Sequence, residues 1–142
     1  MPIARRGDGG RTAPRGAHVS KHILIVDDSA LIRRIIRETL EQQNGWEVSG
    51  EAANGREAIE KAQELRPDLI VLDLAMPVMN GLEAARALKR LLPRVPVLMF
   101  TNFDAAHLKR EALAAGIRAV VSKSGSLESL VSAIQGLLEP AA

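Results

Sequence analysis

Hydrophobic and polar positions follow two different periods along residues 22–138. Short apolar runs of the kind found in buried strands stand at His22–Val26, Trp46–Glu51, 68–72, Val95–Phe100 and Arg118–Val121. Between these runs, apolar residues recur every three or four positions, which is the period of an amphipathic helix. Strand and helix therefore alternate five times. This pattern predicts an α/β fold, a doubly wound parallel sheet of five strands with helices on both faces.

The starts and ends of the helical segments carry recognisable signals. Residues suited to N-caps precede four of them, namely Ser29, Asn54, Asp104 and Ser126. Asn54 and Glu57 have the spacing of a capping box, and Gly116 stands where a helix commonly ends. The predicted apolar stripes include Ile35 in the first helix and Leu65 in the second.

Composition is consistent with one ordinary domain. The chain has 142 residues, 46% of them hydrophobic, and no cysteine, which excludes disulfides and thiolate metal sites. No apolar stretch is long enough to span a bilayer. The arginines near the N-terminus are not followed by the apolar region of a secretory signal, so a cytoplasmic protein is expected.

The positive charge of the chain is concentrated in its first residues. Residues 1–22 contain five basic side chains and one acidic side chain, whereas residues 23–142 carry 14 basic and 16 acidic ones. The basic segment is rich in glycine and arginine and has no apolar period. We therefore predict a disordered basic tail over 1–20 and a folded domain over 21–139. The tail is expected to be a solvated extension, and the alternative is a weak, salt-sensitive contact of the tail with a polyanion.

Polar residues that can do chemistry stand where the predicted strands end. Asp27 and Asp28 follow the first strand, Asp73 the third and Thr101 the fourth, and Lys123 lies just after the fifth. The carboxyl ends of parallel strands share one sheet edge. A strand order of 2-1-3-4-5 would bring these five side chains into one pocket at the switch point of the sheet.

The chemistry of such a pocket is that of a phosphate acceptor. Three carboxylates this close repel one another unless a cation lies among them, and Mg²⁺ prefers oxygen ligands. The Lys123 ammonium and the Thr101 hydroxyl would then surround a place for a dianion. Carboxylates form acyl phosphates, so Asp73 is the candidate nucleophile.

At this point residues 22–138 resemble the receiver domain of bacterial two-component response regulators, in particular the stand-alone receivers of chemotaxis. The features that carry the resemblance occur in order along the chain, at Val26–Ser29, Asp73–Gly81, Thr101, Ala115–Gly116 and Ser122–Lys123. The resemblance implies the flavodoxin-like fold of that family.

The resemblance also implies a role for each residue. Asp73 would accept a phosphoryl group from the phosphohistidine of a histidine kinase or a histidine phosphotransfer protein. Mg²⁺ would be held by Asp28, Asp73 and the backbone carbonyl of Ala75, with Asp27 contributing through water. Thr101 and Lys123 would bind the phosphoryl oxygens.

Partner surfaces follow from the same resemblance. The fourth helix, fifth strand and fifth helix would contact a downstream protein target, or a second copy in a phosphorylation-dependent dimer. Kinase docking would fall beside the first helix, with Leu31, Arg33, Arg34 and Arg37 at its surface. Because no DNA-binding pattern occurs in the sequence after the fifth helix, a stand-alone or an excised receiver that signals by protein contact is expected. Neither membrane contact nor turnover of an external substrate is expected.

Two residues depart from the family pattern. The aromatic residue that usually precedes the lysine by three positions is Val120 here, so either Thr101 and its loop move alone or Phe103 replaces the aromatic. The proline that usually follows the lysine, with a cis bond, is Ser124. A cis bond before a non-proline residue costs about 2.5 to 4 kcal/mol, so we predict a trans Lys123–Ser124 bond.

Three other classes compete with this interpretation. A haloacid-dehalogenase-like phosphatase would require a second aspartate where the chain has Ala75. A flavodoxin-like mononucleotide binder would require a phosphate loop where it has Asp27 and Asp28. A phosphorylation-independent interaction module on the same fold is the main alternative, because Val120 and Ser124 depart from the family pattern.

Overall fold

The computed structural model describes residues 20–103 and 105–139, so residues 1–19 of the predicted basic tail and the predicted Asp104 cap lie outside the described residues. The five strands are β1 (Lys21–Val26), β2 (Trp46–Ala52), β3 (Leu69–Leu72), β4 (Val97–Thr101) and β5 (Ala119–Ser122). The five helices are α1 (Ala30–Glu41), α2 (Gly55–Leu65), α3 (Gly81–Leu91), α4 (Ala105–Ala114) and α5 (Leu127–Leu138).

The strands form one parallel sheet in the order β2-β1-β3-β4-β5. The predicted fold class and strand order are therefore confirmed. β1 lies between β2 and β3, and its Val26 pairs with Leu72 at the end of β3. The residues that follow these two strands consequently leave the sheet side by side.

Helices cover both faces of the sheet because consecutive strand residues point to opposite sides. On one face, Ile25 and Val71 pack in a buried cluster with α1 and α5. On the other, Val26 and Leu72 pack with α2, α3 and α4. β1 and β3 are buried on both faces, which explains why their sequences are continuous apolar runs rather than alternating ones.

The helix caps differ from the expected pattern in one place. Ser29 and Ser126 are N-caps as predicted. Asn54 also caps α2, but the Glu57 carboxylate accepts the N–H of Ala53 instead of returning to Asn54. The complete capping box is at Asn80 of α3.

Two further expectations about the chain have clear outcomes. Gly116 follows α4 with φ +91°, the left-handed conformation expected of a glycine at a helix end. Ile35 and Leu65 do not lie in buried stripes, because each is 37% exposed at the edge of its helix. No helix of the described ranges has both the length and the apolar character needed to cross a bilayer.

Candidate functional site

The candidate site residues predicted from the sequence are gathered at the carboxyl-terminal edge of the sheet. Asp27 directly follows β1 and Asp73 directly follows β3, and they are 2% and 6% exposed. Thr101 is the last residue of β4 and is 1% exposed, while Lys123 directly follows β5. The parallel order explains this placement, since all these strands end on the same side.

Three carboxylates form an acidic cluster at this edge. Asp27, Asp28 and Asp73 each offer an oxygen within 4.8 Å of the others, and Asp28 is the exposed member. The N–H of Leu74 donates to Oδ1 of Asp73 at 2.8 Å. Burial, followed by the charge of Asp27, nevertheless raises the pKa of Asp73, because Lys123 and this hydrogen bond offset the two effects only in part.

Lys123 is the cation of the cluster. Its Nζ lies 2.6 Å from Oδ2 of Asp27 and 3.2 Å from Oδ2 of Asp73. Burial alone would lower the pKa of Lys123, but the hydrogen bond to Asp27 and the charges of both carboxylates raise it above its ordinary value. The ammonium group thus stays charged and holds the two buried carboxylates together. We call Asp27, Asp28, Asp73 and Lys123 the acidic pocket.

Thr101 lies at the next strand end. Its Oγ1 accepts the backbone N–H of Phe103 at 3.3 Å. This bond uses a lone pair of the hydroxyl oxygen, so the hydroxyl proton can be donated elsewhere. The N–H of Lys123 donates to the Thr101 carbonyl at 2.8 Å, which fixes the end of β5 beside the end of β4.

The loop after Asp73 is held by backbone contacts to two helix starts. The N–H of Gly81 donates to Leu74 O at 2.8 Å, and the N–H of Gly55 donates to Met79 O at 3.0 Å. A Cβ at Gly81 would overlap the carbonyl oxygen of Asp73, and one at Gly55 would lie 2.6 Å from Met79 O. Glycine is therefore required at both helix starts.

Two loop residues between these contacts are relevant to the site. Ala75 is exposed in the loop, and its role as a carbonyl ligand stays a prediction. Val78 is 71% exposed and has φ +69°, a left-handed conformation that is rare for a β-branched residue. The loop beside Asp73 therefore holds a strained backbone position.

The contacts of Arg33 and Arg37 were not foreseen from the sequence, which placed both at an outer docking surface. Arg33 Nε lies 2.8 Å from Oε1 of Glu51, and Arg37 Nε lies 2.7 Å from Oε2. Arg33 also donates to the backbone carbonyl of Asp27 at 2.6 Å. Both guanidinium groups thus bind partners within the domain. The sequence signal for these contacts was an acidic residue late in β2 together with two arginines on α1.

The acidic pocket fits a divalent cation. The atoms that could bind the metal are carboxylate oxygens, the ligands that Mg²⁺ prefers. The negative charge of these three side chains is balanced only in part by Lys123. A hard cation there would offset the charge of Asp27, which, after burial, is the second cause of the raised pKa of Asp73.

The two departures from the family pattern are visible at β5. Val120 is half-buried and lines a cleft of about 380 Å³ between α4 and β5, together with Leu113, Lys109 and Arg118. Phe103 is 53% exposed. The Lys123–Ser124 bond is trans, as predicted, since no peptide bond of the described residues is cis.

With this geometry in place, comparison with known proteins identifies the family. Residues 23–135 match the response regulator receiver domain. The chain belongs to this family, a signalling module of two-component systems in which phosphorylation and magnesium binding are typical.

Individual relatives and solved structures agree with this assignment. The chain is 45% identical over 119 residues to protein-glutamate methylesterase/protein-glutamine glutaminase of Alkalilimnicola ehrlichii, covering 79% of the chain and 30% of that protein. It is 42% identical over 113 residues to response regulator protein VraR of Staphylococcus aureus, covering 80% of the chain and 54% of that protein. The chain thus spans about a third to a half of these relatives. Among solved structures, chemotaxis protein CheY4 of Vibrio cholerae aligns with a TM-score of 0.78 at 37% identity, covering 84% of the chain and all of that protein.

Proposed function

We propose that Asp73 accepts a phosphoryl group from the phosphohistidine of a histidine kinase or a histidine phosphotransfer protein, with Mg²⁺ bound in the acidic pocket. The observation that carries the proposal is the position of the Lys123 ammonium, 3.2 Å from a buried Asp73 carboxylate that shares its surroundings with two other carboxylates. A structural salt bridge would not require the additional acidic groups.

The proposed reaction is a direct displacement at phosphorus. A carboxylate oxygen of Asp73 forms the new P–O bond, while the P–N bond of phosphohistidine breaks and its electron pair returns to the imidazole. Asp28, Asp73 and the Ala75 carbonyl would hold the metal, with Asp27 contributing through water. The bound metal would neutralise charge on the transferring phosphoryl oxygens.

Lys123 and Thr101 act on the product side of this reaction. Before transfer, Lys123 shares its protons between Asp27 and Asp73. After transfer, Asp73 carries a phosphoryl dianion, and the same ammonium can donate to one of its oxygens. The hydroxyl proton of Thr101 supplies a second donor from the end of β4.

Intact mass measurement after incubation with acetyl phosphate and Mg²⁺ tests the proposal. Wild type should gain the mass of one phosphoryl group, and Asp73→Asn should not. Asp68→Asn is a matched control, because Asp68 precedes the same strand at the opposite sheet edge and accepts the N–H of His22. This variant should gain phosphate like the wild type.

The same experiment addresses the phosphorylation-independent alternative. An unchanged mass for wild type, while another receiver domain gains phosphate in the same mixture, would overturn the proposed reaction and favour an interaction module. Gain of phosphate by Asp73→Asn would place the acceptor at another residue.

The exposed side of α1 is the proposed contact for the phosphate donor. Leu31 is 64% exposed. The Arg34 side chain is 76% exposed and forms an ion pair with Glu38 of the same helix. Leu31→Ala and Arg34→Ala should slow transfer from a kinase but not from acetyl phosphate, because only the kinase needs a docking surface. Unchanged transfer from the kinase would remove this contact from the proposal.

The face formed by α4, β5 and α5 is the proposed output surface. The cleft beside Val120 lies on it, and Leu113 at its border is 58% exposed. Binding of a downstream protein or of a second phosphorylated copy would cover this apolar area. Leu113→Ser should weaken either contact without changing phosphate uptake at Asp73. Sedimentation of the phosphorylated protein measures the contact between copies, and intact mass measures phosphate uptake.

A further inference from the structure

Arg33 connects the acidic pocket to a second charged group that lies outside it. Its guanidinium donates to the backbone carbonyl of Asp27 at 2.6 Å and to Oε1 of Glu51 at 2.8 Å. The Arg33 side chain is 18% exposed, so these contacts replace most of its hydration. A guanidinium can serve two acceptors in a fixed fork, which a lysine ammonium cannot do in the same geometry.

Glu51 is itself held from several directions. Its Oε2 accepts Arg37 Nε at 2.7 Å, and its backbone carbonyl accepts Lys61 Nζ at 2.5 Å. In the sheet, Glu51 pairs with Ile25, two residues before Asp27. Arg33 is thus anchored on a residue whose own position is fixed by β2, α1 and α2.

Asp27 is bound at every polar atom of its backbone and side chain. Its N–H donates to Ala52 O at 3.0 Å, and its Oδ1 accepts the N–H of Ser29 at 2.9 Å. Lys123 takes Oδ2, and Arg33 takes the carbonyl. The next residue, Asp28, is exposed and is the carboxylate whose direction depends on the Asp27–Asp28 peptide plane.

We propose that Arg33, oriented by Glu51, is a positioning residue for the metal site: it fixes the Asp27–Asp28 peptide so that the Asp28 carboxylate is directed at the cation. Mg²⁺ tolerates little deviation from octahedral geometry, so affinity depends on where each oxygen is held. Residues outside the ligand set commonly matter for this reason. The inference depends on the proposed Mg²⁺ site and adds a residue that contributes no ligand.

The sign of the effect separates positioning from simple electrostatics. Arg33 is a cation close to a cation site, so its charge alone weakens Mg²⁺ binding. Removing that charge would then strengthen binding. Positioning predicts the opposite result, because the freed peptide plane would let Asp28 turn away from the metal.

Isothermal titration with MgCl₂ of the whole unphosphorylated chain tests the proposal. Arg33→Met should weaken Mg²⁺ binding about tenfold. Arg33→Lys keeps the charge but not the planar guanidinium that serves two acceptors. Its Mg²⁺ affinity should lie between those of Arg33→Met and the wild type. Glu51→Gln should also weaken Mg²⁺ binding. The double variant Arg33→Met with Glu51→Gln should bind Mg²⁺ no more weakly than Arg33→Met alone, because both changes act on the same contact between Arg33 and the Asp27 carbonyl.

Arg37→Met is the matched control. Arg37 carries the same charge on the same helix and contacts the same Glu51, but the structure gives it no contact with Asp27. The Mg²⁺ affinity of Arg37→Met should stay within about twofold of that of the wild type. Thermal unfolding without Mg²⁺ establishes that each variant is folded, and Arg33→Lys serves if Arg33→Met is not.

Each outcome of the titration decides one point. If wild type binds Mg²⁺ and both Arg33 variants bind it equally well or more tightly, the positioning role is overturned and the proposed phosphate chemistry stands. If Arg37→Met weakens binding as much as Arg33→Met, the effect belongs to general destabilisation of α1 and not to the contact with the Asp27 carbonyl, and the role is again overturned. If wild type binds no Mg²⁺, the proposed function and this inference both fail.

Discussion

Two groups of charged residues are joined by Arg33, which contacts Asp27 in one and Glu51 in the other, and they are built in opposite ways. In the acidic pocket, three carboxylates lie together, and the ammonium of Lys123 contacts two of them, Asp27 and Asp73. In the group around Glu51, which we call the Glu51 cluster, one carboxylate residue is contacted by three cations, namely Arg33, Arg37 and Lys61.

The titration of the two groups differs accordingly. Partial burial raises the pKa of Glu51, but the hydrogen bonds and charges of Arg37 and Arg33 outweigh it and hold the pKa below its ordinary value. The pKa of Asp73 is raised, by burial first and then by Asp27. The charge of Glu51 is satisfied within the fold, whereas the carboxylates of the acidic pocket are only partly balanced, as the proposed binding of a cation and a phosphoryl group from outside requires.

Loss of the lysine from each group should give the largest contrast. Lys123→Met leaves the buried Asp27 carboxylate without its ionic partner and should lower the free energy of unfolding by about 3 kcal/mol. Lys61→Met removes one hydrogen bond while the Glu51 carboxylate keeps two guanidinium partners, and should cost about 1 kcal/mol. Urea unfolding in EDTA measures both. Equal costs for the two variants would contradict the contrast.

Addition of Mg²⁺ should stabilise the acidic pocket specifically. At a hundredfold excess over the dissociation constant, the wild type should gain about 2.7 kcal/mol of unfolding free energy. Asp28→Asn and Asp73→Asn should lose most of this gain, and Asp68→Asn at the other end of β3 should keep it. A full gain in Asp73→Asn would mean that the ion binds elsewhere.

Substitution of Val78 should relieve the backbone strain in the loop after Asp73 without changing either group of charged residues. Val78→Asn replaces a β-branched residue at φ +69° with one that tolerates the left-handed conformation, and should stabilise the domain by about 1 kcal/mol. Val78→Ala also removes the β-branch but lacks the short polar side chain that hydrogen-bonds locally in this conformation, and should gain less. The urea midpoints of the two variants decide the point, and a larger gain for alanine would show that backbone strain is not the cause.

The smallest expected effects are two pH dependences of opposite sign, measured by urea unfolding without Mg²⁺. Because the folded pKa of Glu51 is lowered, the stability that wild type has over Glu51→Gln should grow as pH rises towards the ordinary value of 4.5 and stay constant above it. It is lost as pH falls through the folded pKa.

Because the folded pKa of Asp73 is raised, ionised Asp73 is less favourable in the folded state than in the unfolded chain. Wild type should therefore lose stability relative to Asp73→Asn as pH rises from 3.8 through the folded pKa. Parallel curves for the two variants would show that the groups do not differ in charge balance.

The sheet and the acidic pocket could be predicted from the sequence because both depend on local signals. A strand buried on both faces is a continuous apolar run, and a polar residue at its end is visible at once, as for Asp27 and Asp73. Parallel pairing then brings the strand ends together, as the structure shows for Lys123, without any further information.

The Glu51 cluster could not be predicted in the same way. Arg33 and Glu51 are 18 residues apart, and their contact depends on how α1 lies across β1 and β2. Helical periodicity places Arg33 outside the apolar stripe and cannot distinguish a solvated arginine from one that bridges two strands. The exposure of Ile35 was missed for a related reason, since the width of the buried stripe depends on the neighbouring helices.

The glycine contacts of the loop after Asp73 have a consequence for how such a domain can vary. The shape of this loop is specified by main-chain bonds at Gly55 and Gly81. The side chain at Ala75 takes no part in them and is exposed in the loop that follows Asp73. Natural variation or engineering can therefore alter the surface beside Asp73 at this position while the scaffold is inherited unchanged.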